Sequence, residues 1–489
     1  MAQKQFPRLD MLDFGMMDAS SEARQSPKLL MEGYFDFQDA SRRITTGDAW
    51  MIVGPKGAGK SAVFEHLRLM WHDDPLKFFN VWQINHTPIF DVLNAQTGIK
   101  SGRSSVIVAW KLLLLGPLLS SVLGDEGATI PNDVLELEKR LVDAGALSPR
   151  SVRKSSDKKT ETTLRFNMKL LEVTKNFSAA GLTIYQAVSL IETALKSLST
   201  SNRHVLALDN LDSLFGQTDE ELGSLGALLD AMREINLRFQ DLGLRLSVVL
   251  GIRHDMLQKV PSTDSAKLTE HAVRLDWSMG EDASGNNLWR MLSHKAKLSV
   301  TEVFDGLPLG DIRKAYLSEP IGIGRYANMS EYLLSNTRYL PRDLNALMQA
   351  LKLVHPGAGK VRENAAREAV RNYAETYFTN ELSNNLSGAV EGGSPLKVSV
   401  FFDALSCLPD RHFTLEDVRQ ELDGELDSDL VTSMMRQLYF AGGVGVQKGN
   451  GRTTFTTFDY RRVGGARFSA KRPLLLHNAL VSAWNIPWT

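Results

Sequence analysis

An α/β fold built on a mainly parallel sheet is what this sequence predicts, and three observations lead there. Ala49 to Val53 is a short apolar run that passes directly into glycines, the pattern of a strand buried on both faces. Lys60 to Trp71 follows, with Val63, Phe64, Leu67 and Met70 at helical spacing. Lys77 to Ile84 reads as a second strand, and two more apolar runs, Val205 to Leu208 and Leu246 to Ile252, complete an alternation of strands and helices, as in a doubly wound sheet.

The chain has 489 residues, more than one ordinary core holds, so several domains are expected. Hydrophobic residues make up 43% and charged residues 23%, a globular composition. Lys plus Arg number 56 and Asp plus Glu 57, so a nucleic-acid contact would need a local patch rather than the overall field. The single Cys407 fits a reducing compartment, and its simplest reading is a small buried hydrophobe on a helix. Met1 to Asp13 lacks the basic-then-apolar order of a secretory signal, and the expectation is a cytoplasmic chain without a membrane partner. Val106 to Leu123 is nearly long enough to span a bilayer. Lys111 interrupts it, Gly116-Pro117 breaks it and Ser120-Ser121 follow, which predicts a buried helix kinked at its proline.

Between Gly124 and Gly181 the pattern degrades. Arg150, Arg153, Lys154, Lys158 and Lys159 crowd a Ser-rich stretch at Ser148 to Thr163 that reads as a solvated excursion from the core. From Glu270 to Asn380 the chain is mostly helical, with Leu344, Leu347, Leu351 and Leu353 as the strongest pattern, and Asn384 to Pro395 reads as a linker. The last hundred residues predict a helix at Leu396 to Leu408 and a second one opened by Thr414-Leu415-Glu416-Asp417 in capping-box fashion. A third helix at Asp429 to Phe440 precedes a hairpin of Val444 to Gln447 and Thr453 to Phe458, turned at Lys448-Gly449-Asn450-Gly451. Three helices followed by a hairpin is the winged-helix layout.

The chemistry centres on Gly54-Pro55-Lys56-Gly57-Ala58-Gly59-Lys60-Ser61, the spacing of a phosphate-binding P-loop. Its glycines let backbone N–H groups wrap an anion at which the following helix aims its positive end. Lys60 would reach the β- and γ-phosphates of a nucleotide, and the Ser61 hydroxyl would bind Mg2+. Such a site needs a carboxylate on a nearby strand, and Asp209, ending Val205-Leu206-Ala207-Leu208, supplies it. Asn210 follows. An amide can hold a water but is no base, which makes Asp212 the nearest substitute and fast hydrolysis doubtful. Arg253, after the run Leu246 to Ile252, is placed for a γ-phosphate sensor or for delivery to a neighbouring subunit. Arg338 and Arg342, around Pro341, are placed to couple a lid to the nucleotide. The plain alternative for these arginines is an ion pair with Asp255 or Asp343.

In this order the motifs resemble the AAA+/STAND branch of P-loop ATPases. Within it they look most like a bacterial family of stand-alone members that also carry Tyr34-Phe35-Asp36 before the loop and His477-Asn478-Ala479-Leu480 near the C-terminus. The resemblance implies ATP rather than GTP, Mg2+, a helical lid and nucleotide-dependent self-assembly, and bacterial relatives are often linked to anti-phage defence or other conflict systems. The expected division is an N-terminal extension (1–28), a P-loop core (29–268, with the excursion at about 125–180), a lid (269–383), a linker (384–395) and a winged helix (396–489). The leading functional expectation is a regulatory ATPase that forms a homo-oligomer and controls an effector protein. A DNA-binding initiator or loader is the first alternative. Nucleic acid is the less favoured partner, because Asp427 to Phe440 carries only Arg436 against Asp427 and Asp429. A nucleotide-stabilised scaffold with little hydrolysis is the second alternative.

Overall fold

The computed structural model describes residues 6–36, 38–83, 103–143, 183–211, 218–260, 269–278, 286–303, 310–322, 326, 328–390, 393–449, 454–460 and 467–487. The chain divides into two compact units, one of residues 36–54 with 60–275, the other of residues 1–35, 55–59 and 276–489.

The first unit is a five-stranded, wholly parallel sheet. Its strands are β1 (Met51–Val53), β2 (Lys77–Gln83), β3 (Arg203–Asp209), β4 (Leu246–Ile252) and β5 (Ala272–Arg274), in the spatial order β2-β3-β4-β1-β5. Strands β1, β3 and β4 are buried along their whole length, including Arg203, His204 and Asp209 of β3 and Ser247 of β4, around their apolar stretches 51–53, 205–208 and 248–250. Helices α1 (Lys60–Met70), α2 (Arg103–Leu123), α3 (Ile184–Ser197) and α4 (Asp219–Asp241) accompany the sheet. Thr183 and Thr218 open α3 and α4 with reciprocal capping boxes to Gln186 and Glu221. β1 begins only at the level of Leu250, so Val248 on β4 lacks a partner on that side. Asn236 of α4 replaces it, donating to Val248 O and accepting from Val248 N, each at 2.8 Å.

The apolar helix α2 is a core element. It is long and apolar enough to cross a membrane, yet Trp110, Leu112 to Leu115, Leu118 and Leu119 are buried in this unit. Trp110 donates to Ser224 Oγ on α4 at 3.2 Å, and Lys111 reaches Glu234 on the same helix at 2.8 Å. Pro117 lies inside the helix.

His204, in β3, is fully buried and stacked on Phe78 at 4.5 Å. Its Nε2 lies 3.3 Å from Asp125 and its Nδ1 2.9 Å from Ser121 Oγ. A neutral ring donating to the carboxylate and accepting from the hydroxyl satisfies both. Burial, partly offset by Asp125, depresses its pKa from 6.5 to about 4. The unfolded chain therefore takes this proton first as pH falls. The contribution is fully present above pH 6.5, and about 3 kcal/mol is lost between 6.5 and 4. Denaturation midpoints across that window should fall for the native chain and be flatter for His204→Gln.

The second unit is mainly helical. Its helices include α5 (Asn286–Val303), α6 (Met329–Ser335), α7 (Pro341–Val354), α8 (Glu363–Tyr373), α9 (Thr379–Ala389), α10 (Pro395–Ser406), α11 (Leu415–Leu422), α12 (Ser428–Phe440) and α13 (Asn478–Trp484). A π-helical turn, Ala374–Phe378, joins α8 to α9. Strands β6 (His412–Phe413), β7 (Val444–Gly449), β8 (Thr454–Thr457) and β9 (Leu474–Leu476) form an antiparallel sheet in the order β6-β9-β7-β8. The capping box at Thr414 and Asp417 is present, and β7 and β8 make the expected hairpin.

Three expectations are corrected. Residues 384–389 are not linker: they continue α9, because Leu382 and Leu386, four residues apart, are both fully buried while the polar residues take the remaining faces. The N-terminal extension (1–28) is not a separate segment but groups with the helical unit. Tyr316 Oη donates to Pro7 O at 2.7 Å, Lys352 Nζ to Leu12 O at 2.7 Å and Asn345 Nδ2 to Gly15 O at 2.8 Å, while Glu22 and Lys295 form a buried ion pair. Cys407 follows the last turn of α10 and is exposed, not buried. The basic stretch Ser148 to Thr163 lies outside the described residues.

Candidate functional site

The register of the parallel sheet brings the sequence-predicted residues to one edge. Val53 pairs with Ile252, and Leu208 pairs with Leu250. Gly54 after β1, Arg253 after β4 and Asp209 at the end of β3 therefore emerge at the same carboxyl edge from three consecutive strands. With strands about 4.8 Å apart, the acid stands roughly 10 Å from the start of the loop. Ligands of open α/β sheets bind at such an edge.

Beyond Gly54 the backbone turns through Gly57 (φ 90°) and Gly59 (φ 100°), both left-handed, and enters α1 at Lys60. Alternating handedness of this kind turns successive N–H groups toward one centre. A Cβ on Gly59 would meet nothing within 4 Å, so conformation rather than space demands glycine there. Lys60 Nζ donates to Gly54 O at 3.1 Å, which lays the ammonium back across the loop. Ser61 is the next residue and half-exposed.

Asp209 is only 3% exposed. Beside it stands Gly251 on β4, where a Cβ would lie 3.3 Å from Asp209 Oδ1 and 2.9 Å from Phe64. Any larger residue would crowd the carboxylate, and the glycine inside an apolar strand is the sequence signal that could have revealed this close approach. Asn210 adopts φ 61°. Asn is among the few non-glycine residues that tolerate this region, which gives a backbone reason for an amide rather than a glutamate after the acid. Asp212 lies outside the described residues.

Arg253 binds Asp255 through Nε at 3.0 Å and Nη2 at 2.7 Å. Burial opposes ionisation of Asp255, but the guanidinium holds its carboxyl below the ordinary range. The side chain is thus at the predicted edge and already paired.

In the helical unit the two lid arginines separate. Arg338 is 4% exposed and bound to Asp343 through Nε at 2.8 Å and Nη2 at 2.7 Å, with Nη1 donating to Ala441 O at 3.3 Å. Its guanidinium also lies 5.3 Å from the Phe378 ring. It is a structural residue of this unit, not a side chain free to swing, and the ion-pair alternative describes it. Arg342 is different. Its Nε donates to Met17 O at 3.0 Å, its backbone N lies 3.5 Å from Gly57 O, and its Cβ lies 3.3 Å from the position of a Gly57 Cβ.

The loop interior has further partners that the sequence did not announce. Lys56 pairs with Glu381 of α9 at 3.3 Å, and Trp277 Nε1 donates to Ala58 O at 2.9 Å. Within this unit, residues 55–59 are therefore fastened to α7, to α9 and to Trp277. The two resemblance elements are structural. Asp36 caps the helix Ala40–Thr46 through the N–H groups of Ala40 and Ser41, and His477 caps α13 through Ala479 N.

No protein-family model matches the sequence, and comparison with curated proteins finds no match. Among solved structures, the Walker-type ATPase PABY2304 of Pyrococcus abyssi is similar at a TM-score of 0.38 and 11% identity, over 93% of this chain and 96% of that one. Cdc6p from Pyrobaculum aerophilum is similar at a TM-score of 0.32 and 12% identity, over 89% and 94%. At that distance the functional reading rests on this chain's own residues.

Proposed function

We propose that this chain binds ATP with Mg2+ at Gly54 to Ser61 and hydrolyses it slowly, as a self-assembling regulatory ATPase that controls a partner protein. The observation behind this reading is the shared strand edge, where a left-handed glycine loop, a lysine at a helix N-terminus and a buried acid arrive from β1 and β3 with β4 between them.

The donor set fits Mg2+. Ser61 and Asp209 offer the hard oxygens this ion takes, and Gly251 keeps space beside the carboxylate. Bound Mg2+ would supply charge neutralisation for the phosphates. Lys60 would donate to the transferred phosphate group, and the loop N–H groups would orient it. Asn210 can position a water but cannot accept its proton, which is why hydrolysis is read as slow. Arg253 is the chain's own candidate for sensing the γ-phosphate, at the cost of a bond to Asp255. The fastening of residues 55–59 to α7 and α9 supports a lid that responds to the loop.

We read the C-terminal module as a winged helix that contacts protein. The sole basic residue of α12, Arg436, lies against Phe468 at 5.9 Å rather than heading a row of phosphate-binding side chains.

Turnover per chain should rise with protein concentration, because a neighbour's arginine completes a composite site. Constant specific activity from nanomolar to micromolar protein would remove assembly from the reading. ATP binding without turnover at every concentration would leave the nucleotide-stabilised scaffold.

A further inference from the structure

Within the helical unit, residues 56 and 57 of the phosphate loop are held at two points. Lys56 Nζ lies 3.3 Å from Glu381 Oε2, in the first turn of α9. Gly57 O lies 3.5 Å from the backbone N of Arg342, in the first turn of α7. The two helices are themselves tied together. Tyr377, in the π-helical turn that leads into α9, donates to Asp343 of α7 at 3.3 Å. Loop, α9, Asp343 and α7 thus close a ring of contacts. Turns of this rare kind inside helices recur at functional sites.

The C-terminal module is seated on the same ring. Gly442 and Gly443 lie in the turn between α12 and β7. A Cβ on Gly442 would lie 3.0 Å from the Arg338 side chain, and one on Gly443 would lie 3.0 Å from Leu382, the residue after Glu381. Gly442 also has φ 84°. Glycine is therefore demanded there by close approach as well as by conformation.

The links of the ring are unequal. Arg338 and Asp343 are buried, whereas the side chains of Lys56 and Glu381 are 34% and 17% exposed. A partly solvated pair is the weaker link and opens first. It is also the link on which an anion in the loop acts. While paired, Glu381 cancels the charge of Lys56 and sets a carboxylate beside the loop, and both effects oppose a polyphosphate.

From this arrangement we propose that Glu381 is a positioning residue that acts on the phosphate loop through Lys56 and restrains nucleotide binding. The nucleotide's phosphates break the pair and release the start of α9, on which Gly443 is seated. This regulation rests on the reading of Gly54 to Ser61 as the nucleotide site.

The experiment is calorimetric titration of ATP into the full native chain, Glu381→Gln, Lys56→Gln and the double variant. Glu381→Gln should bind about threefold to fivefold tighter than the native chain, because it leaves the Lys56 charge uncompensated. Lys56→Gln should bind weaker, and the double variant should return close to native affinity. A pair that only braced the loop would give weaker binding in both single variants. A second measurement needs no variant. Hydrogen exchange of the amides at 382–386 should quicken several-fold when the native chain is saturated with ATP, and should already be fast in Glu381→Gln without it. A native chain that binds no ATP removes the reading of the loop and the restraint with it. ATP binding by the native chain, with Glu381→Gln of equal or weaker affinity, overturns the restraint alone. So does saturation with ATP that leaves exchange in α9 unchanged.

Discussion

Lys60→Ala is expected to weaken ATP binding by on the order of 100-fold or more and to abolish turnover. The estimate follows from what the ammonium would contribute: hydrogen bonds to charged phosphate oxygens, each worth about 1.5–3 kcal/mol, and two of them give that factor. The alanine chain keeps the fold, because Lys60 is half-exposed and its hydrogen bond to Gly54 O closes only the loop itself. Equilibrium binding of a fluorescent ATP analogue, followed by turnover at saturating ATP, measures both effects. Affinity within a few-fold of the native chain would mean that Gly54 to Ser61 is a turn that happens to match the motif. Asp209→Asn sharpens the result. It should spare Mg2+-free nucleotide binding and lose the Mg2+-dependent increment, whereas Lys60→Ala loses both.

The sheet was legible where residues repeat a pattern, and illegible where tertiary pairing decides. β1, residues 205–208 of β3 and most of β4 are apolar and are followed by a glycine, an acid and an arginine, and their places at one edge follow from parallel order. β5 is only Ala272-Val273-Arg274, too short to carry a period, and it exists because β1 offers it a free side. β6 and β9 escaped notice for the same reason. Asn384 to Pro395 reads as linker by composition, and only the buried pair Leu382 and Leu386 betrays the helix. At the site, the phosphate loop and Asp209 could be named from spacing. The attachment of residues 55–59 to Trp277, Arg342 and Glu381 could not, since those partners lie far along the chain and no local pattern marks them. Arg338 shows the opposite error. A charged residue shortly before a proline that opens a helix suggests function, but what decided its role was burial, which sequence periodicity around a single arginine does not report.

That burial carries the second large effect. Asp343→Ala should destabilise the helical unit by about 3–5 kcal/mol, the usual cost of removing one partner from a buried pair. Asp343 is fully buried and accepts from Arg338 N at 3.0 Å, Nε at 2.8 Å and Nη2 at 2.7 Å, and from Tyr377 Oη at 3.3 Å. Burial opposes its ionisation, but Arg338 holds the carboxyl well below the ordinary range. Without it, a guanidinium that water cannot reach keeps only Ala441 O and the Phe378 face among its described partners. The damage should spread along the chain, because Arg338 joins the start of α7 to the end of α12, and the adjoining Thr337 O lies 3.2 Å from His477 Nε2. The double replacement Arg338→Met with Asp343→Leu removes both charges and fills the space, and it should recover most of the loss. Chemical denaturation followed by tyrosine fluorescence measures the three chains. A single variant as stable as the native protein would mean that water reaches Arg338 and that the pair is not buried. A double variant as weak as the single one would place the energy in the bonds to Ala441 and Tyr377 rather than in the unpaired charge.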